Sequence, residues 1–552
     1  MRRIIDPIYG YIPISERELN FVDTLIFQRL RNIHQSGTAY LTYPASNHTR
    51  FQHSLGVMHV ASNILDLFWE KNQHLLQKES VEVEFSDLKG IVRLAALLHD
   101  IGHGPFSHVC ELLTGRVLRS ASPHEKVVSE LLTMDGNNLM TLLENKRAYG
   151  LRTGFEKMIP SFFTDNPLTY TTSEGTRPLY YQHFYKSLIN GDIDADNMDY
   201  LLRDSYVTGS PVAWIDIETL FHSIAYIWKE EKLKKFFDDM NRAKIELIFD
   251  RSGVSALETF IVARRKLYKW LNFHQVVCLT DEVTYRIMRL LCEAGLLSEK
   301  DFGLEPFIEL INVDIEEERK HKRLLTMVDK FPGKNIDRNL SYETPKIIDD
   351  SYILEMLRYS LRELPTQLKR CDSLERRTIF EALCDFSKIL QRRDNRSALW
   401  KVSFIQACDY IEEIQKMWKK LCNIREKDMQ ENSCEFDKYI SEMELEINIS
   451  LKKDIELNIT NPQSIIAMKP YRTIKEISPI IETRKDPEDP ELILLEKIPN
   501  IVTSIIKGGD PDPAIYVYVR GADKQNEEEK KKAIKRVIEI FDSFTKRGDS
   551  SN

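Results

Sequence analysis

Residues Leu94–Val109 read LAALLHDIGHGPFSHV, and the fold and the chemistry both turn on this stretch. Its first residues are apolar and free of Gly and Pro, as the end of a buried helix would be. His99 and Asp100 then stand side by side, and Gly102 and Gly104-Pro105 interrupt the helix. His103 and His108 follow. Three imidazoles and a carboxylate so close together point to a metal or acid–base centre in an enzyme.

Working outward, residues 50–70 carry apolar side chains at 57, 60, 64, 65, 67 and 68, the pattern of an amphipathic helix that bears His53. The polar 71–87 stretch reads as a loop, with Ser86 capping a helix over about 87–100. Another helix begins near 106, and Pro123-His124-Glu125 opens a further one towards Leu132. Residues 160–178 are rich in turn formers. In DADNMDYLLRDS, Asp196, Tyr200, Arg203 and Asp204 recur at i, i+4, i+7 and i+8, hence on one helix face. Asp199 and Arg203 also fit an ordinary i, i+4 surface salt bridge. His53, His99, Asp100 and an Asp of 192–204 make a candidate metal set of imidazole and carboxylate ligands. That set suits Mn, Fe, Ni, Zn or Mg and can hold and acidify a water for attack on phosphorus. Each of these histidines alone would also pass as a satisfied core residue.

Bulk properties bound the function. The 552 residues are 42% hydrophobic and 29% charged, with only 21 glycines, which favours helix and allows one large domain plus a smaller one. A net charge of −8 argues against broad nucleic-acid binding but leaves room for a small anion held by local arginines. Eight cysteines at 110, 278, 292, 371, 384, 408, 422 and 434 form no CxxC pair and read as reduced thiols. Met1-Arg2-Arg3 leads into no apolar signal region, and no run is long enough to span a membrane, so a cytoplasmic protein is expected.

The ends differ in texture. Residues 3–14 suggest a small hairpin followed by a helix capped by Ser15 and ended by Gly37. Long helical patterns cover 216–295, and shorter helices reach about 460. From about 463, SIIAMKPYRTIKEISPIIET, ELILLEKI and AIYVYVRG are β-branched, before a charged amphipathic helix, EEEKKKAIKRVIEIFDSF. The expectation is a mainly α protein: a large helical core over 1–300, a helical extension over 301–462 and a small α+β lobe over 463–552.

Four segments, RFQHSLGVMHV, LLHDIGHGPFSHV, SPHEK and DIDADNMDYLLRDS, resemble in order the signatures of the HD-domain phosphohydrolases. With DTLIFQRLRNIHQSG, they are similar more narrowly to the deoxynucleoside triphosphate triphosphohydrolases, over roughly 1–290. The resemblance implies His53, His99, Asp100 and Asp196 as ligands of a divalent metal. It makes His124 the general acid or base, oriented by Glu125, and puts His103 by the reacting phosphate. Glu111 stands where the family usually has Asp, in a network behind that histidine. Arg50 and Arg264 would grip phosphate oxygens. Gln35, Tyr200 and Asp204 would hold a deoxyribose, while His108 and His274 would contact phosphate and base edge.

There are departures. Asn197 replaces a familiar phosphate-binding Lys, a contact that Lys266, Lys269 or Arg265 could supply. No SAM domain is expected, because HD-type sequence begins almost at Met1. Asp23, Gln28 and Arg31 fall where SAM-containing members contact an effector nucleotide, but they also fit a plain helix pairing. The resemblance implies a dNTP substrate and a homo-oligomer, a dimer or tetramer, working in dNTP-pool control or phage defence. Two rivals stand beside it: an HD phosphodiesterase or nucleotidase acting on another nucleotide, and a nucleotide sensor with weak catalysis.

Overall fold

The computed structural model describes residues 2–78, 85–134, 139, 155–164, 166–172, 175–179, 182–191, 193–210, 215–224, 247–316, 346–368, 374–391, 396–398, 411–454, 457, 463–469, 480–484, 491–494, 515–520 and 526–547. The protein is mainly α, with small sheets.

The chain opens with an antiparallel hairpin, β1 (Arg2–Asp6) and β2 (Gly10–Ile14). Asp6 closes its turn by accepting from Ile8 N and Tyr9 N, and Gly10 takes φ +70°. Ser15 starts α1 (Glu16–Val22) with a reciprocal capping box: its hydroxyl accepts from Glu18 N, and Glu18 accepts from Ser15 N. After α2 (Leu25–Gln28) come α3 (Arg50–Lys78), α4 (Phe85–Leu98), α5 (Glu111–Leu118) and α6 (Pro123–Thr133). The expected polar loop over 71–87 is shorter than read, because α3 runs on to Lys78 and α4 starts at Phe85; 79–84 lie outside the described residues.

The apolar positions of α3 that set its period do bury: Val57, Val60, Ile64 and Leu65 are fully enclosed, facing Ile91, Val92, Ala95 and Leu98 of α4. Each such aliphatic side chain contributes roughly 1.5–3 kcal/mol on burial. The helix Ala195–Thr208 also packs against α3, and its Met198 and Leu201 join the same core. These three helices form the frame that carries the site.

A second core joins Phe106, Val109 and Leu112 to residues of 273–302, to Trp418, Met443 and Ile447, and to Tyr516, Phe541 and Phe544. Hydrophobic packing therefore runs across the boundaries at 300 and 462 that composition suggested. The strands do the same. After the hairpin β3 (Thr169–Thr172) and β4 (Gly175–Pro178) comes β5 (Ile248–Asp250), inside the region expected to be helical. Short apolar runs are ambiguous in period. Here β8 (Ile480–Arg484) settles the matter by pairing with β5 in parallel, and β9 (Glu491–Leu494) extends that sheet. Residues 225–246 of the same region lie outside the described residues. In the other sheet, β10 (Ile515–Arg520) lies between β6 (Arg396–Ala398) and β7 (Ser464–Met468). None of the six described cysteines is in a disulfide, and Cys371 and Cys408 lie outside the described residues. Among the described residues, no helix is long and apolar enough to cross a membrane.

One buried ion pair ties the amino-terminal elements to the frame. Arg93 on α4 donates through Nε and Nη2 to both oxygens of Glu18, and also to Pro13 O at the end of the hairpin. Burial raises the Glu18 pKa, but Arg93 outweighs it and holds the carboxyl below its ordinary 4.5. Arg93→Ala leaves that carboxylate buried and unpaired, and is expected to cost roughly 3–5 kcal/mol in chemical denaturation. In the unsubstituted protein the Glu18 contribution is complete above pH 4.5 and is lost as pH falls through the lower folded pKa. Denaturation midpoints compared at neutral and acid pH check this: the penalty of Arg93→Ala should shrink in acid.

Candidate active site

The site lies where the amino end of α3, the turn after α4 and the first turn of the helix Ala195–Thr208 meet. His53 is wholly buried, and its Nδ1 lies 2.7 Å from Asp199 Oδ2. A carboxylate only accepts, so Nδ1 carries the proton and Nε2 faces the other way. There Asp196 Oδ1 lies 2.8 Å off, outside hydrogen-bond alignment, and Asp100 Oδ2 lies 3.6 Å off. His99 donates from Nδ1 to Ala96 O (2.7 Å), which leaves its buried Nε2 with no hydrogen-bond partner. The ligand atoms of His53, His99 and Asp196 lie within 4.8 Å of one another, and the Asp196 side chain is 36% exposed, so the cluster opens to solvent.

These residues fit a divalent metal. Two imidazole nitrogens and a carboxylate converge, and neither nitrogen has a hydrogen-bond partner. Burial opposes charge on His53, yet Asp196, Asp199 and Asp100 overcome it and hold its pKa at about 10. Surroundings that negative would hold a cation as readily as a proton.

Asp100 stands between this cluster and a second one. Its Oδ2 accepts from Arg50 Nη1 at 2.6 Å, while Oδ1 lies 3.4 Å from His99 Nε2 and 3.3 Å from His103 Nε2. Burial pushes its pKa up, but Arg50 and the two histidines keep the carboxyl well below the usual range. In the second cluster His103 stacks on His124, with centroids 4.2 Å apart. Burial, Arg50 and His124 hold the His103 pKa well below 6.5, so it is a neutral imidazole. His108 Nδ1 and His124 Nδ1 both lie 2.7 Å from Glu111 Oε1. Glu125, expected to orient His124, is exposed; one residue along the helix it points off the site, and Glu111 takes that contact. The longer Glu side chain reaches both histidines.

The turn that carries these groups is tight. Phe106 and Ser107 both take left-handed backbone, φ 54° and 56°, which costs roughly 1–3 kcal/mol each for non-glycine residues. A Cβ at Gly102 would lie 2.2 Å from His124 O, so only glycine lets the turn close on α6.

Of the residues expected to hold the sugar and base, Tyr200, Asp204 and His274 are each engaged locally. Gln35 presents a buried Oε1 without a hydrogen-bond partner. Tyr200 donates to Asn197 Oδ1 (2.9 Å) and neighbours Arg264 and Tyr268. Asn197 is buried, and its side-chain amide donates to Asp194 Oδ1 (2.7 Å). Asp204 is buried, with Oδ1 taking the Nε2 of buried His48 at 2.7 Å. His274 caps the next helix, accepting from Val276 N, and packs edge-on to Tyr43. Lys266 and Lys269 are exposed. Away from this pocket, Gln28 accepts from exposed Arg31 (2.7 Å) near Asp23.

Sequence reasoning missed Asp199 and His48. Asp199 does pair with Arg203, but in the core rather than at the surface: the two side chains are 0% and 1% exposed, and Asp6 of the hairpin completes the pair from 2.7 Å. Their helical spacing was visible; their burial was not. His48 had only its place two residues before Arg50 as a signal. Gly56 on α3 makes room for the pair, since a Cβ there would overlap Asp199 Oδ1.

With this geometry in view, residues 50–149 match the HD domain family. The chain carries an HD domain. HD domains are metal-dependent, and the His53, His99 and Asp196 set falls across this one and the helix that packs on it. The chain is 33% identical over 312 residues to an uncharacterised protein of Methanocaldococcus jannaschii, covering 56% of this chain and 54% of that one. It is 31% identical to the deoxynucleoside triphosphate triphosphohydrolase of Danio rerio, over 38% of this chain and 34% of that one. The chain thus spans about half, or less, of these relatives. A phosphohydrolase structure from Bacteroides thetaiotaomicron shares the fold, with a TM-score of 0.52 at 17% identity over 94% of this chain and all of that one.

Asp199→Asn replaces the carboxylate that fixes the tautomer of His53. It is expected to weaken divalent-metal binding about 10–100-fold, measured as metal retained against a competing chelator. Wild-type retention would show that Asp199 serves packing alone.

Proposed function

We propose that this chain is a metal-dependent HD phosphohydrolase that cleaves a deoxynucleoside triphosphate into deoxynucleoside and inorganic triphosphate. The observation that carries the reading is the position of Asp100. It joins a metal-capable cluster on one side to an imidazole–glutamate cluster on the other, with Arg50 across it. Similarity to deoxynucleoside triphosphate triphosphohydrolases supports the choice of substrate.

A divalent metal held by His53, His99, Asp196 and Asp100 would polarise an α-phosphate oxygen and acidify a water. Arg50 and Arg264 offset charge on the triphosphate, and His108 adds a contact there. His124 sits with Nδ1 on Glu111, which orients the ring and leaves Nε2 to give a proton to the leaving 5′-oxygen. His103, kept neutral, donates or accepts beside the phosphate without adding charge. Asp204 is locked by His48 and accepts from a 3′-hydroxyl, Tyr200 covers the face where a 2′-hydroxyl would stand, Gln35 bonds the sugar and His274 meets the base edge. Asp23, Gln28 and Arg31 form the effector contact in this reading, which also includes a homo-oligomeric assembly.

The test is to incubate the purified chain with each dNTP and NTP, singly and mixed, with Mn²⁺ or Mg²⁺, and to separate the products. Deoxynucleoside and triphosphate are expected from dNTPs, with loss of about 10²–10⁴-fold in His124→Ala and of nearly all turnover in Asp100→Ala. Release of orthophosphate or a monophosphate would overturn the reading. Activity confined to mixtures would establish the effector.

A further inference from the structure

Three consecutive residues, Ile348–Asp350, far outside the HD domain match, bond residues 29–34, and Asp350 also bonds the active-site loop at Phe106. Ile348 O accepts from the buried Arg29, whose other arm donates to Ile101 O and His103 O in the metal-site turn. Asp349 Oδ2 accepts from Asn32 (3.0 Å). Asp350 accepts at Oδ2 from His34 N (3.0 Å) and His34 Nδ1 (2.7 Å), and at Oδ1 from the N–H of left-handed Phe106.

Asp350 begins the helix Asp350–Leu368, yet its carboxylate accepts no hydrogen bond from that helix. Asp349 caps it, accepting from Tyr352 N at 2.8 Å. The Asp350 carboxylate, 3% exposed, is spent wholly on three donors from two other segments. Those segments lead to one side chain. His34, its ring stacked on Tyr40, offers its carbonyl to the Ser107 hydroxyl (2.6 Å). Ser107 Oγ in turn accepts from Arg50 Nε (2.9 Å). The backbone repeats the link: Arg50 N donates to Ile33 O (3.0 Å), next to His34. With Nε on Ser107, the Arg50 guanidinium plane is set, and Nη1 and Nη2 are directed at Asp100 and His108.

We propose that Asp350 is a positioning residue for Arg50: through His34, Phe106 and Ser107 it orients the guanidinium that receives the polyphosphate. A planar, bidentate donor recognises phosphate only in the right plane, so a carboxylate of the extension acts on a site it does not touch. This inference rests on the role of Arg50 in the reading above.

The test uses the full chain and inorganic triphosphate as probe, with Kd from calorimetry and bound metal counted in parallel. Arg50→Ala and Asp350→Asn are each expected to weaken triphosphate binding about tenfold, while Arg50→Ala/Asp350→Asn is no weaker than Arg50→Ala alone. Metal content stays at the wild-type level. If Asp350→Asn does not fold, Ser107→Ala replaces it in the same cycle with the same expectation. Additive losses, wild-type binding in Asp350→Asn and Ser107→Ala, or a wild-type chain that does not bind triphosphate would each overturn the inference. A wild-type chain that binds triphosphate and shows this coupling, yet cleaves no dNTP, would sink the substrate reading and leave Asp350 in its role.

Discussion

The rest of the structure depends on the two-sided use of one imidazole. His53 can offer Nε2 to the site only because Asp199 accepts the hydrogen bond from its Nδ1–H, and Asp199 can be buried only because Arg203 neutralises it. Arg203 needs a second anion and finds it in Asp6, at the turn of the amino-terminal hairpin. A buried charge without its partner is far costlier than a paired one, so this alternating chain holds hairpin, α3 and the Ala195–Thr208 helix in one arrangement. Gly56 is the steric side of the same constraint, since the two helices must come close enough for the carboxylate to reach.

Around that centre the site is built as two clusters sharing Asp100. The metal-capable cluster is drawn from three separate elements, whereas His103, His108, Glu111 and His124 come from one turn and the two short helices after it. The strained backbone at Phe106 and Ser107 keeps its shape because neighbours over-determine it: Asp350 takes an N–H, His34 takes the hydroxyl of Ser107, and Arg29 holds the carbonyls upstream. Contributions from outside the HD domain are thus part of the site's geometry, and the second hydrophobic core is continuous with them.

Local signals were legible where they rest on spacing. The helix cap at Ser15, the amphipathic face of α3, the break after His99-Asp100 and the strands from 464 onward all follow from period and turn residues. The role of Glu125 was misassigned because adjacency in sequence is a poor guide on a helix, where neighbouring side chains diverge by about 100°. The strand at Ile248–Asp250 was missed because its partner lies more than two hundred residues away.

By itself the sequence determined the mainly helical class, the order of the motifs and the residue types from which a metal and phosphate site can be made. Those depend on local periodicity and on side-chain chemistry. Only the tertiary structure decided that Asp199 and Arg203 lie in the core, that Glu111 rather than Glu125 holds His124, that His48 locks Asp204 and that Asp350 reaches the site from far outside the HD domain match. Each of these is a matter of burial and of meeting across long chain separations, which depend on how helices pack and not on what any one stretch of residues prefers.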